Sequence, residues 1–181
     1  MTSIVTAPAR HLPSTVDPRV RDSIIRALYD VLVVVEHPPG SNRGPAIDAY
    51  NIRAGAPVGS YWCASAAGAY RLDAGLEMPA GYASCENIRQ WAIKTGRWSK
   101  TPDYGAFVLY GHDVAHHIGM VVGLDILRSV EGNTTIEGAA YGSSRNGVAV
   151  SGKEITASDP VLGYCLPFPI VGAHVSIPGS A

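Results

Sequence analysis

The sequence contains little charge, and its charges are balanced. Charged residues make up 16% of the 181 residues, with 15 acidic and 14 basic side chains and a formal net charge of −1, whereas about 25% is usual for globular proteins. It also lacks any run of lysine and arginine of the kind that binds nucleic acids or anionic lipids. We therefore expect neither a nucleic acid nor a membrane surface as a partner.

Long apolar segments are lacking as well. The longest uninterrupted apolar run is residues 31–35, which is far shorter than the roughly 20 residues that a transmembrane helix needs. The first ten residues contain no basic segment followed by an apolar core, so we expect no secretory signal peptide.

Cysteine is scarce. The chain has 3 cysteines, Cys63, Cys85 and Cys165, and no two of them form a C-x-x-C pair. This odd and scattered set predicts free thiols rather than a disulfide scaffold or a zinc knuckle. One of the thiols is therefore a candidate nucleophile.

Glycine (20) and proline (13) are abundant, and they separate segments of different periodicity. Helical spacing predicts four helices, over about residues 18–34, 45–55, 61–75 and 84–96. Short β-branched and aromatic runs predict strands over residues 106–110, 116–122, 126–130, 147–150 and 161–166. Helices followed by an antiparallel sheet indicate a single α+β domain over residues 17–170, with an extended N-terminal arm (1–16) and a C-terminal tail (171–181).

Cys63 opens the third predicted helix. A sulfur at a helix start lies near unpaired backbone N–H groups and the positive end of the helix dipole, and both favour the thiolate. The position fits a nucleophile, but it also fits a small buried hydrophobic residue, which is the role we expect for Cys85 and Cys165.

A predicted hairpin carries His117 and Glu131. A three-residue loop at 123–125 would set Glu131 directly opposite His117, with Asn133 diagonal to His117 on the same face. A carboxylate there could orient an imidazole that acts as a base. A two-residue loop would instead set Val130 opposite His117, and a lone histidine and glutamate are more often structural than catalytic.

A metal site is a third alternative. His112, Asp113, His116 and His117 have ligand chemistry, but adjacent residues of a strand point to opposite faces and cannot both bind one ion without a bulge. We therefore expect no metal.

Five short segments follow one another along the chain in a distinctive order. They are Asn42-Arg43-Gly44-Pro45 with Asp48 and Tyr50, Tyr61-Trp62-Cys63-Ala64, His117-Ile118-Gly119-Met120-Val121-Val122, Val130-Glu131-Gly132-Asn133-Thr134, and Gly163-Tyr164-Cys165-Leu166-Pro167. In this order they resemble the CHAP family of cysteine amidohydrolases and peptidases, relatives of the NlpC/P60 group that are common in phage endolysins and virion-associated lysins. The resemblance spans about residues 23–169.

The resemblance implies a papain-like α+β fold with Cys63 as nucleophile, His117 as base and Glu131 as the residue that orients it, accompanied by Asn133. Whether Glu131 or Asn133 is the third catalytic residue stays open. We expect the aromatic residues Tyr61 and Trp62 to contact the substrate.

The chain departs from the family pattern in two places. Gly105 is followed by Ala106 where the family usually has Gly-Asp, and the loop at residues 55–60 lacks the carboxylates with which some members bind calcium. The implied substrate is peptidoglycan, cleaved at the N-acetylmuramoyl-L-alanine amide or within the peptides by a thioester mechanism that needs no cofactor.

Other functions remain open at this point. One is a catalytically silent structural component of a virion or tail, a second is a papain-like acyltransferase or deamidase, and a third is a metallohydrolase built on His112 and His116. A lysin without a signal peptide would act by release from the host cytoplasm to the wall or as part of a virion. The sequence does not fix its oligomeric state.

Overall fold

The computed structural model describes residues 12–134 and 147–172. In this part of the chain four helices precede six strands, and every strand pairing is antiparallel. The sheet has the order β1-β6-β2-β3-β4-β5. The elements are α1 (Pro18–Val33), α2 (Pro45–Arg53), α3 (Cys63–Asp73), α4 (Cys85–Lys94), β1 (Trp98–Ser99), β2 (Phe107–Gly111), β3 (Ala115–Gly123), β4 (Arg128–Thr134), β5 (Ala149–Glu154) and β6 (Val161–Cys165).

The predicted α+β class is thus confirmed. Within the described residues, no helix is both long and apolar enough to span a membrane. Residues 1–11 of the predicted arm and 173–181 of the predicted tail lie outside the described part. The remainder of the arm is docked on the domain, since Leu12 is buried and Arg21 Nη2 donates to the Pro13 carbonyl at 2.8 Å.

Local signals explain where α1 and α4 begin. The Asp17 side chain accepts a hydrogen bond from Arg19 N at 2.8 Å, and Pro18 occupies the first turn, as a helix start favours. Ser84 caps α4 in the same way, accepting from Asn87 N at 3.2 Å.

α1 ends within one residue of the predicted end at about 34. Val34 is already extended, and Val35 forms an isolated bridge with Ala149, the first residue of β5. Val35 is 43% exposed. The helix ends because the chain turns into the sheet edge, where Val150 N donates to the Val34 carbonyl at 3.1 Å.

Helix α3 lies in the interior of the domain, with all residues from Cys63 to Arg71 buried. It contacts α1 and α2 as well as strands β3 and β4. Its small residues permit this close approach, because a side chain at Gly68 would clash with the ring of Tyr82. The helix that begins at Cys63 is therefore fixed directly against the central strands.

The β3–β4 hairpin has a different register from the one predicted. Met120 pairs with Val130 and Val121 with Ser129, while a bulge near the turn pairs Gly123 with Arg128. Continuing this register places Glu131 opposite Gly119, two residues from the predicted partner His117. The prediction of direct opposition was wrong because the turn spans residues 124–127 and not 123–125, and the bulge reverses only part of the resulting shift.

Candidate active site

Cys63 is the first residue of α3, and its side chain is nearly enclosed, with 7% of the residue exposed. No side chain caps this helix start at Trp62. The backbone N–H groups of the first turn can therefore donate to the sulfur or to a ligand that binds beside it. The placement at a helix start agrees with the sequence-based expectation.

His117 on β3 links Cys63 to Glu131. Nε2 of His117 lies 2.9 Å from Oε2 of Glu131, which leaves Nδ1 as the ring nitrogen available to the sulfur. The side chains of His117 and Cys63 also interact, since each shifts the pKa of the other. Sulfur, imidazole and carboxylate therefore form one continuous chain of contacts.

The electrostatics of the pair favour its ionised form. A hydrogen bond from Cys85 is the largest cause that lowers the pKa of Cys63 well below its ordinary value; burial opposes it, and the hydrogen bond and charge of His117 add to it. Burial acts to lower the pKa of His117, but hydrogen bonds and charge from Cys63 and Glu131 raise it to about 10. These shifts favour a thiolate on Cys63 beside an imidazolium on His117.

Glu131 is only 1% exposed, yet both of its oxygens have partners. Oε1 accepts hydrogen bonds from Tyr110 Oη at 2.8 Å and from Ser129 Oγ at 2.7 Å. Oε2 contacts His117 and lies 3.5 Å from Lys153 Nζ. Burial alone would raise the pKa of Glu131, but His117, Lys153 and Ser129 together lower it to about 2.

A glycine makes room for this carboxylate. A Cβ at Gly119 would lie 2.7 Å from Cγ of Glu131 and 3.1 Å from Cβ of Ser129, which is too close for a side chain. The missing side chain lets Glu131 lean along the strand and meet His117 diagonally. The glycine of the His-Ile-Gly motif thus has a steric role in the site.

Asn133 takes no part in the hydrogen bond between Glu131 and His117. It has a left-handed backbone with φ of 51° and is buried, and within the described part of the chain its Oδ1 has no hydrogen-bond partner. Glu131, and not Asn133, forms the hydrogen bond to His117. Between them, Gly132 lies against Trp62, so that a Cβ there would be 2.8 Å from Cζ3 of the indole.

The two aromatic residues before Cys63 differ sharply in solvent exposure. Tyr61, two residues before Cys63, is 55% exposed, so a substrate contact stays a prediction for it. Trp62 is fully buried, and its Nε1 donates to Oε1 of Glu36 at 2.9 Å. The expected substrate contact of Trp62 is therefore corrected: without exposed surface, the indole serves to anchor the start of α3.

Reasoning from the sequence missed several side chains that contact the site. Ser129 is two residues from Glu131 on the same strand face, and Lys153 pairs with Ser129 on β5, so strand alternation could have indicated Ser129. Cys85 opens α4 just after an N-cap serine, the same kind of signal that drew attention to Cys63. The missed residues are Glu36, Cys85, Tyr110, Ser129 and Lys153.

The histidines considered as metal ligands are dispersed. His112, Asp113 and His116 are exposed, whereas His117 is half-buried against Glu131. Within residues 12–134 and 147–172, no group of three or more His, Cys, Asp or Glu side chains is arranged to hold an ion.

Comparisons of the chain with protein-family models, with curated proteins and with solved structures found no match.

Proposed function

We propose that the chain is a cysteine amidohydrolase or endopeptidase that cleaves amide bonds in peptidoglycan. One observation carries the proposal: His117 lies between Cys63 and Glu131, with its Nε2 2.9 Å from Oε2 of Glu131 and its charge and hydrogen bonding lowering the pKa of Cys63. This is the arrangement that thiol-dependent acyl transfer requires, with an activated nucleophile, a proton donor and a group that orients it.

The first half of the reaction forms a thioester. The Cys63 sulfur attacks the amide carbonyl carbon, and the carbonyl oxygen becomes an oxyanion. The Cys63 backbone N–H at the start of α3 is positioned to donate to that oxygen. His117 then gives its proton to the leaving amine as the C–N bond breaks.

The second half regenerates the enzyme. Neutral His117 takes a proton from a water molecule, whose oxygen attacks the thioester carbonyl. The C–S bond breaks, a carboxylic acid leaves, and the thiolate returns beside the reprotonated imidazole. Throughout, Glu131 holds the ring of His117 and stabilises its charged form. Tyr110, Ser129 and Lys153 support this role because they favour the ionised form of Glu131.

The papain-like fold belongs to the same proposal. A nucleophile at the start of a buried helix and a base on an antiparallel sheet support it, as does the order of the five motifs along the chain. The wall polymer is inferred from the resemblance to the CHAP family, with exposed Tyr61 as the proposed substrate contact. The enzyme would reach the wall by release from the host cytoplasm or as part of a virion.

Digestion of purified sacculi tests the proposal. The full chain should release new amino groups at one defined bond, identified by mass spectrometry of the products, and the position of that bond separates an amidase from an endopeptidase. Cys63→Ala should abolish release, whereas Cys165→Ala should retain it. Iodoacetamide should inhibit and a chelator should not. Equal digestion by wild type and Cys63→Ala would disprove the assignment.

A further inference from the structure

The sulfur atoms of Cys63 and Cys85 lie 3.8 Å apart. Each cysteine is the first residue of its helix, α3 or α4, so two helix starts meet at this contact. Both thiols are free, and each residue is 7% exposed. A disulfide has an S–S distance of about 2 Å, so the two sulfurs, now 3.8 Å apart, would have to approach by about 1.8 Å to be joined.

Catalysis as proposed uses only one of these sulfurs. The thiolate form of a cysteine is the one that hydroperoxides oxidise, and a neighbouring thiol can then resolve the product. Cys63 is held next to His117, which supports the thiolate, and next to Cys85, which can supply the second thiol.

We propose that Cys63 and Cys85 form a peroxide-reactive dithiol site, in which Cys63 is oxidised first and Cys85 then closes a disulfide with it. The pair is thereby assigned as a reversible modification site that takes a hydroperoxide as its substrate. This role of the pair is separate from amide hydrolysis, because sulfur oxidation requires no wall polymer.

The two steps balance. The Cys63 thiolate attacks one peroxide oxygen, the O–O bond breaks, and the released hydroxide takes the proton held by His117 to become water, leaving a sulfenic acid on Cys63. The Cys85 sulfur then attacks that sulfur, an S–S bond forms, the S–O bond breaks, and the second oxygen leaves as water with the Cys85 proton. Two thiols lose two electrons, and one hydroperoxide accepts them.

The protonation of Cys85 fits this order of events. Its hydrogen bond with the Cys63 thiolate is the largest cause that raises the pKa of Cys85 well above its ordinary value, followed by burial and the Cys63 charge. Before oxidation, Cys85 is therefore a thiol that donates to Cys63. Once Cys63 carries oxygen in place of its negative charge, the main cause that holds the proton on Cys85 is removed.

The third cysteine provides an internal contrast. Cys165 is fully buried, and its sulfur lies 3.4 Å from Nη1 of Arg71. Its hydrogen bonds are to Arg71 and to the Leu166 carbonyl. It should therefore remain a thiol under conditions that join the other two.

The test is to expose the reduced full-length protein to hydrogen peroxide and to map its cysteines. We expect the intact mass to fall by two hydrogen atoms, a peptide with Cys63 joined to Cys85, an alkylatable Cys165, and complete reversal by dithiothreitol. In Cys85→Ala, dimedone should trap a sulfenic acid on Cys63, and prolonged exposure should give irreversible oxidation. Cys165→Ala should form the disulfide as the wild type does.

Mapping reads the sulfur bond directly, so it is independent of whether the chain hydrolyses peptidoglycan. If sacculi are not digested but the disulfide forms, only the proposed function fails. If wild-type Cys63 and Cys85 both stay alkylatable after peroxide, or if Cys63 is over-oxidised equally in wild type and Cys85→Ala, the dithiol site is disproved. Because the wild-type map needs no variant, poor folding of Cys85→Ala would not remove the test.

Discussion

Nε2 of His117 lies 2.9 Å from Oε2 of Glu131, and the carboxylate reaches the ring diagonally across β3 and β4. The other carboxylate oxygen is held by Tyr110 and Ser129. The imidazolium that the proposed reaction uses as a proton donor is therefore stabilised by a buried anion that is itself fixed in position.

The pH profile of kcat/KM should report this ion pair. Activity should rise with pH as Cys63 becomes a thiolate, and this rise should lie below the ordinary thiol pKa of 9.0. Activity should fall again as His117 loses its proton, at a pH of about 10. Glu131→Gln removes the carboxylate charge that raises the His117 pKa, so the alkaline limb should move to lower pH. The rate should also drop about a hundredfold or more. An unchanged alkaline limb would contradict the assigned role of Glu131.

Acid stability should depend on the same carboxylate. The pKa of Glu131 is lowered from 4.5 to about 2 in the folded protein, so its contribution is present above pH 4.5 and is lost as the pH falls toward 2. The free energy of unfolding, measured in urea across this range, should decrease. Glu131→Gln should have a weaker dependence there, and identical slopes for the two proteins would count against the lowered pKa.

Tyr110→Phe tests the support of the carboxylate from β2. It removes the hydroxyl that donates to Oε1 at 2.8 Å but keeps the ring, whose centroid lies 5.9 Å from that of His117. We expect unfolding to become easier by about 1–2 kcal/mol and kcat/KM to fall several-fold, less than with Glu131→Gln. Tyr164→Phe on β6 makes the same chemical change away from Glu131 and should leave kcat/KM intact; equal effects would refute a specific role for Tyr110.

Gly132→Ala should disturb the contact between β4 and α3. The new methyl group would lie 2.8 Å from Cζ3 of Trp62 and 3.3 Å from Cβ of Ala66, and overpacking of this kind costs about 1–3 kcal/mol. Urea unfolding measures the loss. Trp62→Phe provides space, so the double variant should be less destabilised than the sum of the two single changes. Simple additivity would show that the indole is not the obstacle.

Arg71→Lys should reveal how α3 is held against the sheet. The buried guanidinium donates to the carbonyls of Gly105 and Cys165 and lies 3.6 Å from the centroid of the Phe107 ring. Lysine cannot reproduce the fork or the stacking, so we expect a loss of about 2 kcal/mol or more in unfolding free energy. Arg53→Lys, at an exposed ion pair with Asp73, should change it by less than about 1 kcal/mol. Comparable losses would contradict the anchoring role.

Local chemistry made much of the fold predictable. Caps and prolines marked helix starts such as Asp17-Pro18 and Ser84, and alternation marked the longer strands. Strand β1 has only two residues, too few for any periodicity, and its formation depends on pairing with β6. The hairpin register depended on a turn over residues 124–127 and on a bulge between Val121 and Gly123, and strand alternation predicts neither of them.

The site was predictable to the extent that its residues carry motifs. Cys63, His117 and Glu131 lie in short segments with chemistry of their own, and the structure brings them together. Cys85 was missed because its contact with Cys63 depends on how two helix starts meet in space. The burial of Trp62 was equally hidden, since an aromatic residue before a nucleophile can face either the core or the solvent.

Cys63 belongs to the helical layer and His117 to the sheet, so the lowered pKa of the Cys63 thiol depends on the packing of the helices against the sheet. A chain whose helices have detached contains ordinary thiols with ordinary reactivity. The rate at which Cys63 is alkylated near neutral pH is therefore a gauge of how much of a sample has its two layers assembled. It would follow the docking of the two layers at a single atom, without a substrate.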